Sequence, residues 1–174
     1  MIRKAQPEQA GEIHDVVVST ISEIYPRYYT REVVEFFIGY HSPERIREDI
    51  SAGKVYIAEE NGRIAGTGTI NGDNIERVYV WPEYRGKGIA TLLLEAVCED
   101  AMAEGYVYVE AYPVKEEGLQ GMAFTGPKRL YEKAGFMIAA RDGSTLVMRK
   151  KLDRIIAACG NGHDSVAHED LPDD

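Results

Sequence analysis

The residues of this chain that are best suited to chemistry lie in a glycine-rich turn between an apolar strand and a helix. The stretch 75–94 reads I-E-R-V-Y-V-W-P-E-Y-R-G-K-G-I-A-T-L-L-L. A turn that opens directly into a helix aims unpaired backbone N–H groups and the positive end of the helix dipole at one point. Arg85 and Lys87 add side-chain charge to the same turn. The combination predicts a site for a phosphate-bearing ligand.

Three glycine-loop motifs can be compared with this turn. A P-loop needs Ser or Thr after its lysine, but Lys87 is followed by Gly88. A dinucleotide fingerprint needs a third glycine where Thr91 stands. Glu110 lies near the place of a ribose-binding acid, yet no alternating run of strands and helices follows it. The third motif, Q/R-x-x-G-x-G/A, matches R-G-K-G-I-A at 85–90.

With this third motif the chain resembles the GNAT family of N-acetyltransferases. Three more segments are similar to family elements and occur in the family's order. They are IRKAQPEQAGEIHDVV at 2–17, VYIAEENGRIAGTGTI at 55–70 and the closing signature LYEKAGF at 130–136. Many members carry asparagine and alanine where this chain has Phe124 and Pro127. The segments VEAYPV and FTGPKRLYEKAGF instead look like one branch of the family.

The resemblance implies an α/β (α+β) fold. Its central sheet is expected to be mixed but mostly antiparallel, with about six to seven strands, flanking helices and splayed central strands. We expect residues 1–152 to form the acetyltransferase domain. Residues 153–174 have few large apolar side chains and end in acidic residues, so we expect a mobile acidic tail.

Hydrophobic periodicity predicts the elements that hold the turn in place. Helices are predicted over 7–24, 31–39, 89–104 and 127–133, and Ser42-Pro43 is typical of a further helix start. Predicted strands cover 2–5, 54–60, 63–70, 75–81, 106–111, 136–140 and 145–150. The buried stripe of the helix over 89–104 is predicted to consist of Leu92, Leu93, Ala96 and Val97.

The resemblance also implies how a cofactor is held. In this family the glycine loop cradles the diphosphate of acetyl-coenzyme A, which acts as a co-substrate, and no metal is required. The strand before the loop pairs with the pantetheine arm, a role that falls on Val78, Tyr79 and Val80. The residues that match the diphosphate site are Arg85, Gly86, Lys87, Gly88, Ile89, Ala90 and Thr91.

Acetyl transfer to an amine also needs a base, a polarised carbonyl and an acid for the leaving thiolate. Tyr131 matches the tyrosine of the family's closing helix and is the predicted acid, since a phenol can donate to a thiolate. Glu76 is the first candidate base, directly or through water, and Glu110 is a second. Either carboxylate is alternatively an ordinary ion-pair partner. By family analogy, the backbone N–H of Val80 polarises the carbonyl.

The acceptor is predicted to be a primary amine on a small molecule or a protein. Aromatic residues between 24 and 40 offer a lining for an alkylammonium group, with Tyr25, Tyr28 and Tyr29 as the predicted set. Phe36 and Phe37 are expected in the core. The alternative function is a non-catalytic acyl-coenzyme A sensor or interaction module, which needs the loop but neither the acid nor an acceptor cleft.

Composition limits the partners. The net charge of −9 argues against general nucleic-acid binding and is compatible with attraction of a cationic amine. No apolar run approaches a membrane span, and the first residues lack a signal peptide's apolar core, so we expect a cytoplasmic protein without a membrane partner. A homodimer is compatible with the family. Cys98 and Cys159 are expected as reduced thiols. Cys159, His163 and His168 match no standard zinc spacing.

Overall fold

The computed structural model of the chain describes residues 1–71, 74–113, 126–142 and 145–152. These described residues form seven strands and five α-helices. The strands are β1 (Ile2–Lys4), β2 (Val55–Glu60), β3 (Arg63–Asn71), β4 (Asn74–Val80), β5 (Tyr108–Ala111), β6 (Met137–Asp142) and β7 (Thr145–Lys151). The helices are α1 (Ala10–Ile24), α2 (Arg31–Tyr40), α3 (Pro43–Ser51), α4 (Ile89–Ala103) and α5 (Lys128–Lys133).

The strands form two antiparallel sheets, which confirms the predicted fold class and the predicted order of elements. The first sheet has the order β1-β2-β3-β4 and the second the order β5-β7-β6. Within the described residues no strand ladder joins β4 to β5. The central sheet expected from the sequence is therefore divided at the place where splayed strands were predicted. The predicted tail at 153–174 lies outside the described residues.

Helix α4 connects the two sheets through neighbouring side chains. Leu93 packs on the first sheet and Leu94 on the cluster under the second, and both are fully buried. Gly66 on β3 permits the close approach of Leu93, since a Cβ there would stand 3.2 Å from the Leu93 Cδ1 atom and 2.7 Å from the Tyr79 carbonyl oxygen of β4. The predicted stripe was wrong at Leu92, which is 49% exposed. The stripe includes Leu94 instead because the helix must face two sheets rather than one.

Helices α1, α2 and α3 cover the other face of the first sheet. Val16, Val17 and Ile21 of α1 pack with Val55 and Ile57 of β2 in one buried cluster. The predicted cap of α3 is confirmed, since the Ser42 hydroxyl accepts a hydrogen bond from the Arg45 backbone N–H.

The aromatic residues of α2 differ in whether they pack against this core. Phe37 packs against the cluster, as predicted, with its ring 5.2 Å from that of Tyr25. Phe36 is 64% exposed, so its predicted core position was wrong. Successive positions of a helix differ by about a hundred degrees, so both side chains cannot face the same core.

Strand β4 contains a bulge at the level of Gly68. Thr67 pairs with Tyr79 and Thr69 pairs with Glu76, so two residues of β4 oppose one of β3. One of the two is Arg77, which has a left-handed φ of 53° although it is not glycine. The bulge directly follows the candidate base Glu76 and includes Val78 of the predicted cofactor strand, so it affects the orientation of both.

A buried histidine between α2 and α3 is expected to make stability depend on pH. His41 is 6% exposed, and burial together with the charges of Arg77 and Arg45 lowers its pKa to about 4. An unfolded histidine titrates near 6.5, so the unfolded chain binds more protons between those values. We expect the free energy of unfolding to fall by up to about 3 kcal/mol as the pH decreases through this window.

Urea unfolding of the wild type and of His41→Gln between pH 4 and 7 tests this expectation. The variant should lose most of the pH dependence in this window, whereas a His168→Gln control, outside the described residues, should keep it. Equal pH dependence in wild type and His41→Gln would show that another group is responsible.

Candidate active site

The glycine loop forms the start of α4 as the sequence predicts. A short 3₁₀ turn at Pro82–Tyr84 leads from β4 into the loop. Gly86 and Gly88 have φ values of 79° and 85°, a region in which a Cβ is unfavourable. Gly88 is the N-cap of the 15-residue α4, and no side chain caps the helix. The N–H groups of its first turn are therefore available to a ligand.

An open cleft lies in front of these N–H groups. Its volume is about 350 Å³, and it extends from the end of β4 and the loop to one side of α5. From the predicted cofactor set, the lining includes Val80, Arg85, Gly86, Gly88, Ile89, Ala90 and Thr91. The other lining residues are Tyr84, Pro127, Arg129, Leu130 and Lys133.

The described lining of the cleft carries positive charge only. Its charged residues are Arg85, Arg129 and Lys133, and no carboxylate belongs to the described lining. This is notable in a chain whose net charge is −9. Sequence reasoning missed Arg129 and Lys133, although their spacing of four residues places them on one side of a helix. Together with the N-terminus of α4, the three cations make the cleft an anion site.

The two cations of the loop have different surroundings. Arg85 lines the cleft, donates from Nε to the Val80 carbonyl oxygen at 3.1 Å, and forms an ion pair with Glu23 at 2.9 Å. Lys87 is absent from the described lining and forms an ion pair at 3.3 Å with Glu60 instead. The diphosphate role predicted for Arg85 thus has a geometric basis, while the side chain of Lys87 extends toward β2.

The Glu23–Arg85 pair is expected to limit the affinity for an anionic ligand. The Arg85 guanidinium lowers the pKa of Glu23, so this carboxylate is ionised at neutral pH and competes for the same cation. Glu23→Gln should strengthen acetyl-coenzyme A binding by roughly two- to fivefold. Calorimetric titration measures the change, with Glu35→Gln as control, since Glu35 pairs with Arg31 on the exposed surface of α2. A weaker complex in Glu23→Gln would show that the pair braces the loop instead.

The end of β4 meets the cleft through Val80. Val78 packs on the same side of the sheet as Val80, in the cluster with Leu93. Tyr79 has the opposite orientation, and its hydroxyl is hydrogen-bonded at 2.8 Å to the hydroxyl of Tyr25. Burial raises the pKa of Tyr79, so its phenol stays neutral. The pantetheine role predicted for this strand stays a prediction. For Tyr79 this role involves backbone atoms only, because its side chain points to the opposite face of the sheet.

The sequence of the central part of the chain decides the family. Residues 51–138, just over half of the 174, match the family model of the acetyltransferase (GNAT) domain. The chain belongs to the GNAT acetyltransferase family. Among curated proteins, no sequence match to the chain is found.

Solved GNAT structures share the fold at low sequence identity. The PaiA N-acetyltransferase of Thermoplasma acidophilum in complex with coenzyme A is 22% identical, with a TM-score of 0.64 over 87% of this chain and 98% of that one. An N-acetyltransferase from Staphylococcus aureus Mu50 is 23% identical, with a TM-score of 0.57 over 88% and 97%. The acetyltransferase YncA of Salmonella typhimurium with acetyl-CoA is 19% identical, with a TM-score of 0.59 over 95% and 98%.

The predicted acid of this GNAT domain lies beside the cleft. Tyr131 is half-buried on α5, and its ring packs edge-on against Phe136 at 5.4 Å. Its hydroxyl oxygen is close to Gly126, where an added Cβ would stand 3.6 Å away. Burial raises the pKa of Tyr131 to about 12, which keeps the phenol protonated at neutral pH. Leu130 and Pro127 line the cleft, whereas Tyr131 is not part of its described lining, so its acid role stays a prediction.

The two candidate bases differ in their surroundings. Glu110 is exposed, its pKa is lowered by hydrogen bonds from Arg149 and Tyr112, and its carboxylate lies 2.5 Å from the Arg149 guanidinium. A paired carboxylate of this kind is a weak proton acceptor. Glu76 has one buried carboxylate oxygen that lacks a hydrogen-bond partner among the described residues. The geometry therefore favours Glu76 over Glu110 as the group that receives a proton.

The aromatic residues expected at the acceptor differ in their burial. Tyr25 is 4% exposed and belongs to the core, where it packs against Tyr29 and Phe37. Tyr28 is 39% exposed and Tyr29 is half-buried. Pro26 turns the chain through a 3₁₀ turn at this point, which directs Tyr25 inward. The acceptor role of Tyr28 and Tyr29 stays a prediction, while the side chain of Tyr25 is buried in the core.

Metal-binding groups and membrane-spanning helices are both absent from the described residues. No group of three or more His, Cys, Asp or Glu side chains there is arranged to hold a metal ion. No helix in that part of the chain is long and apolar enough to cross a membrane. Cys98 is a buried free thiol. Cys159, His163 and His168 lie outside the described residues.

Proposed function

We propose that this GNAT domain is an N-acetyltransferase that moves the acetyl group of acetyl-coenzyme A directly to a primary amine. The observation that carries the proposal is the cationic cleft at the glycine loop, located between the end of β4, the start of α4 and one side of α5. Family membership and the coenzyme A and acetyl-CoA complexes of PaiA and YncA support the same ligand.

Different groups of the cleft bind the diphosphate and the pantetheine arm of the cofactor. The N–H groups of the first turn of α4 and the guanidinium of Arg85 hold the diphosphate. Arg129 and Lys133 add charge on the facing side of the cleft. The pantetheine arm enters the gap beside β4 and pairs with the backbone around Val80, which brings the thioester to the level of the β4 bulge. Holding both reactants in this way supplies much of the rate.

Transfer then proceeds without a covalent enzyme intermediate. The amine nitrogen loses a proton to Glu76 or to a water molecule and attacks the thioester carbonyl carbon. A C–N bond forms, and the carbonyl oxygen is stabilised by the backbone N–H of Val80. The C–S bond breaks as the tetrahedral species collapses, and the phenol of Tyr131 protonates or hydrogen-bonds the departing thiolate. The products are an acetylated amine and coenzyme A.

The acceptor enters from the face of the sheet that carries α1 and α2. Glu76 and Tyr79 belong to this face, and Tyr28 and Tyr29 follow α1 on the same side. Aromatic rings near a carboxylate suit an alkylammonium group. We propose that the acceptor is a small-molecule or protein amine in the cytoplasm and that the protein forms a homodimer.

An amine panel tests the proposed reaction. The protein is incubated with acetyl-coenzyme A and alkyl monoamines, diamines, amino acids, or peptides with lysine or free N-termini. The expected result is one acetylated product, identified by mass spectrometry, formed in a one-to-one ratio with free coenzyme A thiol. Tight cofactor binding without product on any amine would contradict transfer and favour the alternative, a non-catalytic acyl-coenzyme A sensor.

A further inference from the structure

The bulge of β4 contains a non-glycine residue in a left-handed backbone conformation, which side chains disfavour. Arg77 has a φ of 53° in the middle of a strand, where extended backbone would otherwise continue the ladder. Local sequence does not favour this conformation, since Arg77 is flanked by Glu76 and Val78 rather than by turn residues. An interaction outside β4 must therefore hold the residue in place.

The side chain of Arg77 supplies that interaction. It is 1% exposed and crosses to α3, where its guanidinium forms an ion pair with Asp49, whose side chain is 13% exposed. Among the described residues, the Nε and Nη1 atoms of Arg77 have no hydrogen-bond partner. A guanidinium buried this deeply depends on its carboxylate, so Asp49 determines where Arg77 can lie.

The position of the bulge determines which side chains of β4 lie on each face of the first sheet. Glu76 and Tyr79 lie opposite Thr69 and Thr67, on the face covered by α1, because the bulge inserts one residue between them. Val80 pairs with Gly66 on the other face. In a regular ladder without the bulge, one half of the strand would turn over relative to the other. Either Glu76 or the segment ending at Val80 would then lose its present orientation.

We infer that the Asp49–Arg77 ion pair is a positioning device that fixes the β4 bulge and so sets the strand's backbone against the pantetheine arm. The inference rests on the proposed function, since it concerns how that cofactor is held. Arg77 is a positioning residue and touches neither the loop nor the described lining of the cleft. The pair therefore affects the arm of the cofactor and leaves the diphosphate site unchanged.

Binding of two ligands distinguishes the diphosphate site from the site of the pantetheine arm. Acetyl-coenzyme A contacts both the loop and β4, whereas 3′-phospho-ADP carries the diphosphate without the pantetheine arm. Calorimetry with both ligands is performed on the wild type, Asp49→Asn, Arg77→Lys and the double variant Asp49→Leu/Arg77→Met. A single change leaves one buried charge unpaired, which destabilises the fold. The double variant removes both buried charges, so we expect it to fold. Glu59→Gln is the control, since it breaks the Arg3–Glu59 pair at the far side of the sheet.

We expect Asp49→Asn and the double variant to bind acetyl-coenzyme A at least about tenfold more weakly, with 3′-phospho-ADP binding within about twofold of the wild type. Arg77→Lys keeps a cation opposite Asp49 and should recover part of the loss. Unchanged binding of both ligands, or an equal loss of both in the folded double variant, would overturn the inference. A wild type that binds 3′-phospho-ADP but gains nothing from the acetyl-pantetheine arm would instead contradict the proposed function.

Discussion

Tyr131→Phe is expected to lower kcat by roughly a hundredfold or more while leaving acetyl-coenzyme A affinity within about twofold of the wild type. The substitution removes one hydroxyl and keeps the ring that packs on Phe136. The thiolate then leaves without a protonated phenol beside it, although the diphosphate site is intact. Steady-state kinetics on the amine found in the panel, together with calorimetry, measures the two quantities separately.

Tyr106→Phe is the matched control, because Tyr106 lies beyond the end of α4 and is 40% exposed. It should behave as the wild type in both measurements. If Tyr131→Phe kept full kcat, water rather than the phenol would protonate the leaving thiolate, and Tyr131 would be a packing residue of α5. A loss of cofactor affinity with unchanged kcat would assign the hydroxyl to binding.

Gly88→Val should weaken acetyl-coenzyme A binding by at least about a hundredfold. Gly88 is the N-cap of α4 at a φ of 85°, where a β-branched residue is strongly disfavoured, and it lines the cleft. The loop must change its backbone conformation to accept valine, so its N–H groups no longer converge on the diphosphate. Calorimetric titration of the variant measures the loss.

Gly53→Val separates this effect from general strain. Gly53 follows α3, has a φ of 72° and leaves open space around an added Cβ, as Gly88 does. The control should lose stability to heat but bind the cofactor like the wild type. Equal losses of affinity in both variants would show that strain in any turn, rather than the shape of this loop, weakens binding.

Local signals in the sequence were sufficient for the glycine loop and most of the elements. The left-handed positions at Gly86 and Gly88 follow from the residue type, and α4 begins where the apolar period begins. The Ser42 cap and the turn at Asn61-Gly62 are equally local. These features depend on residues within a few positions of one another, which is why one sequence can predict them.

Features that depend on distant residues could not be predicted in this way. The partner of Arg85 is Glu23, 62 residues away, and the partner of Arg77 is Asp49, 28 residues away. Both pairs join elements whose relative placement exists only in the folded chain. The alternative role of Glu76 was an ordinary ion pair, for which Arg77 or a residue of a neighbouring strand was available. In the fold, Arg77 pairs with Asp49 instead, and one buried oxygen of Glu76 has no hydrogen-bond partner among the described residues.

The sequence predicted the cleft residues of the glycine loop but not those of α5. The loop residues carry a recognisable motif, but Arg129 and Lys133 belong to a short helix whose orientation depends on packing against α4. Tyr25 shows the same limit, because an aromatic residue after a helix is equally suited to a cleft and to a core. Its burial is decided by the contact with Tyr79, 54 residues later in the chain.

Calorimetric titration of the wild type with acetyl-coenzyme A tests the central claim most directly. We expect one site per chain with a dissociation constant near the micromolar range, about −8 kcal/mol. The same titration on Arg85→Ala/Arg129→Ala should show binding weakened by at least about tenfold, because each substitution removes a cation from the cleft. No binding by the folded wild type would contradict the assignment of the cleft to this cofactor.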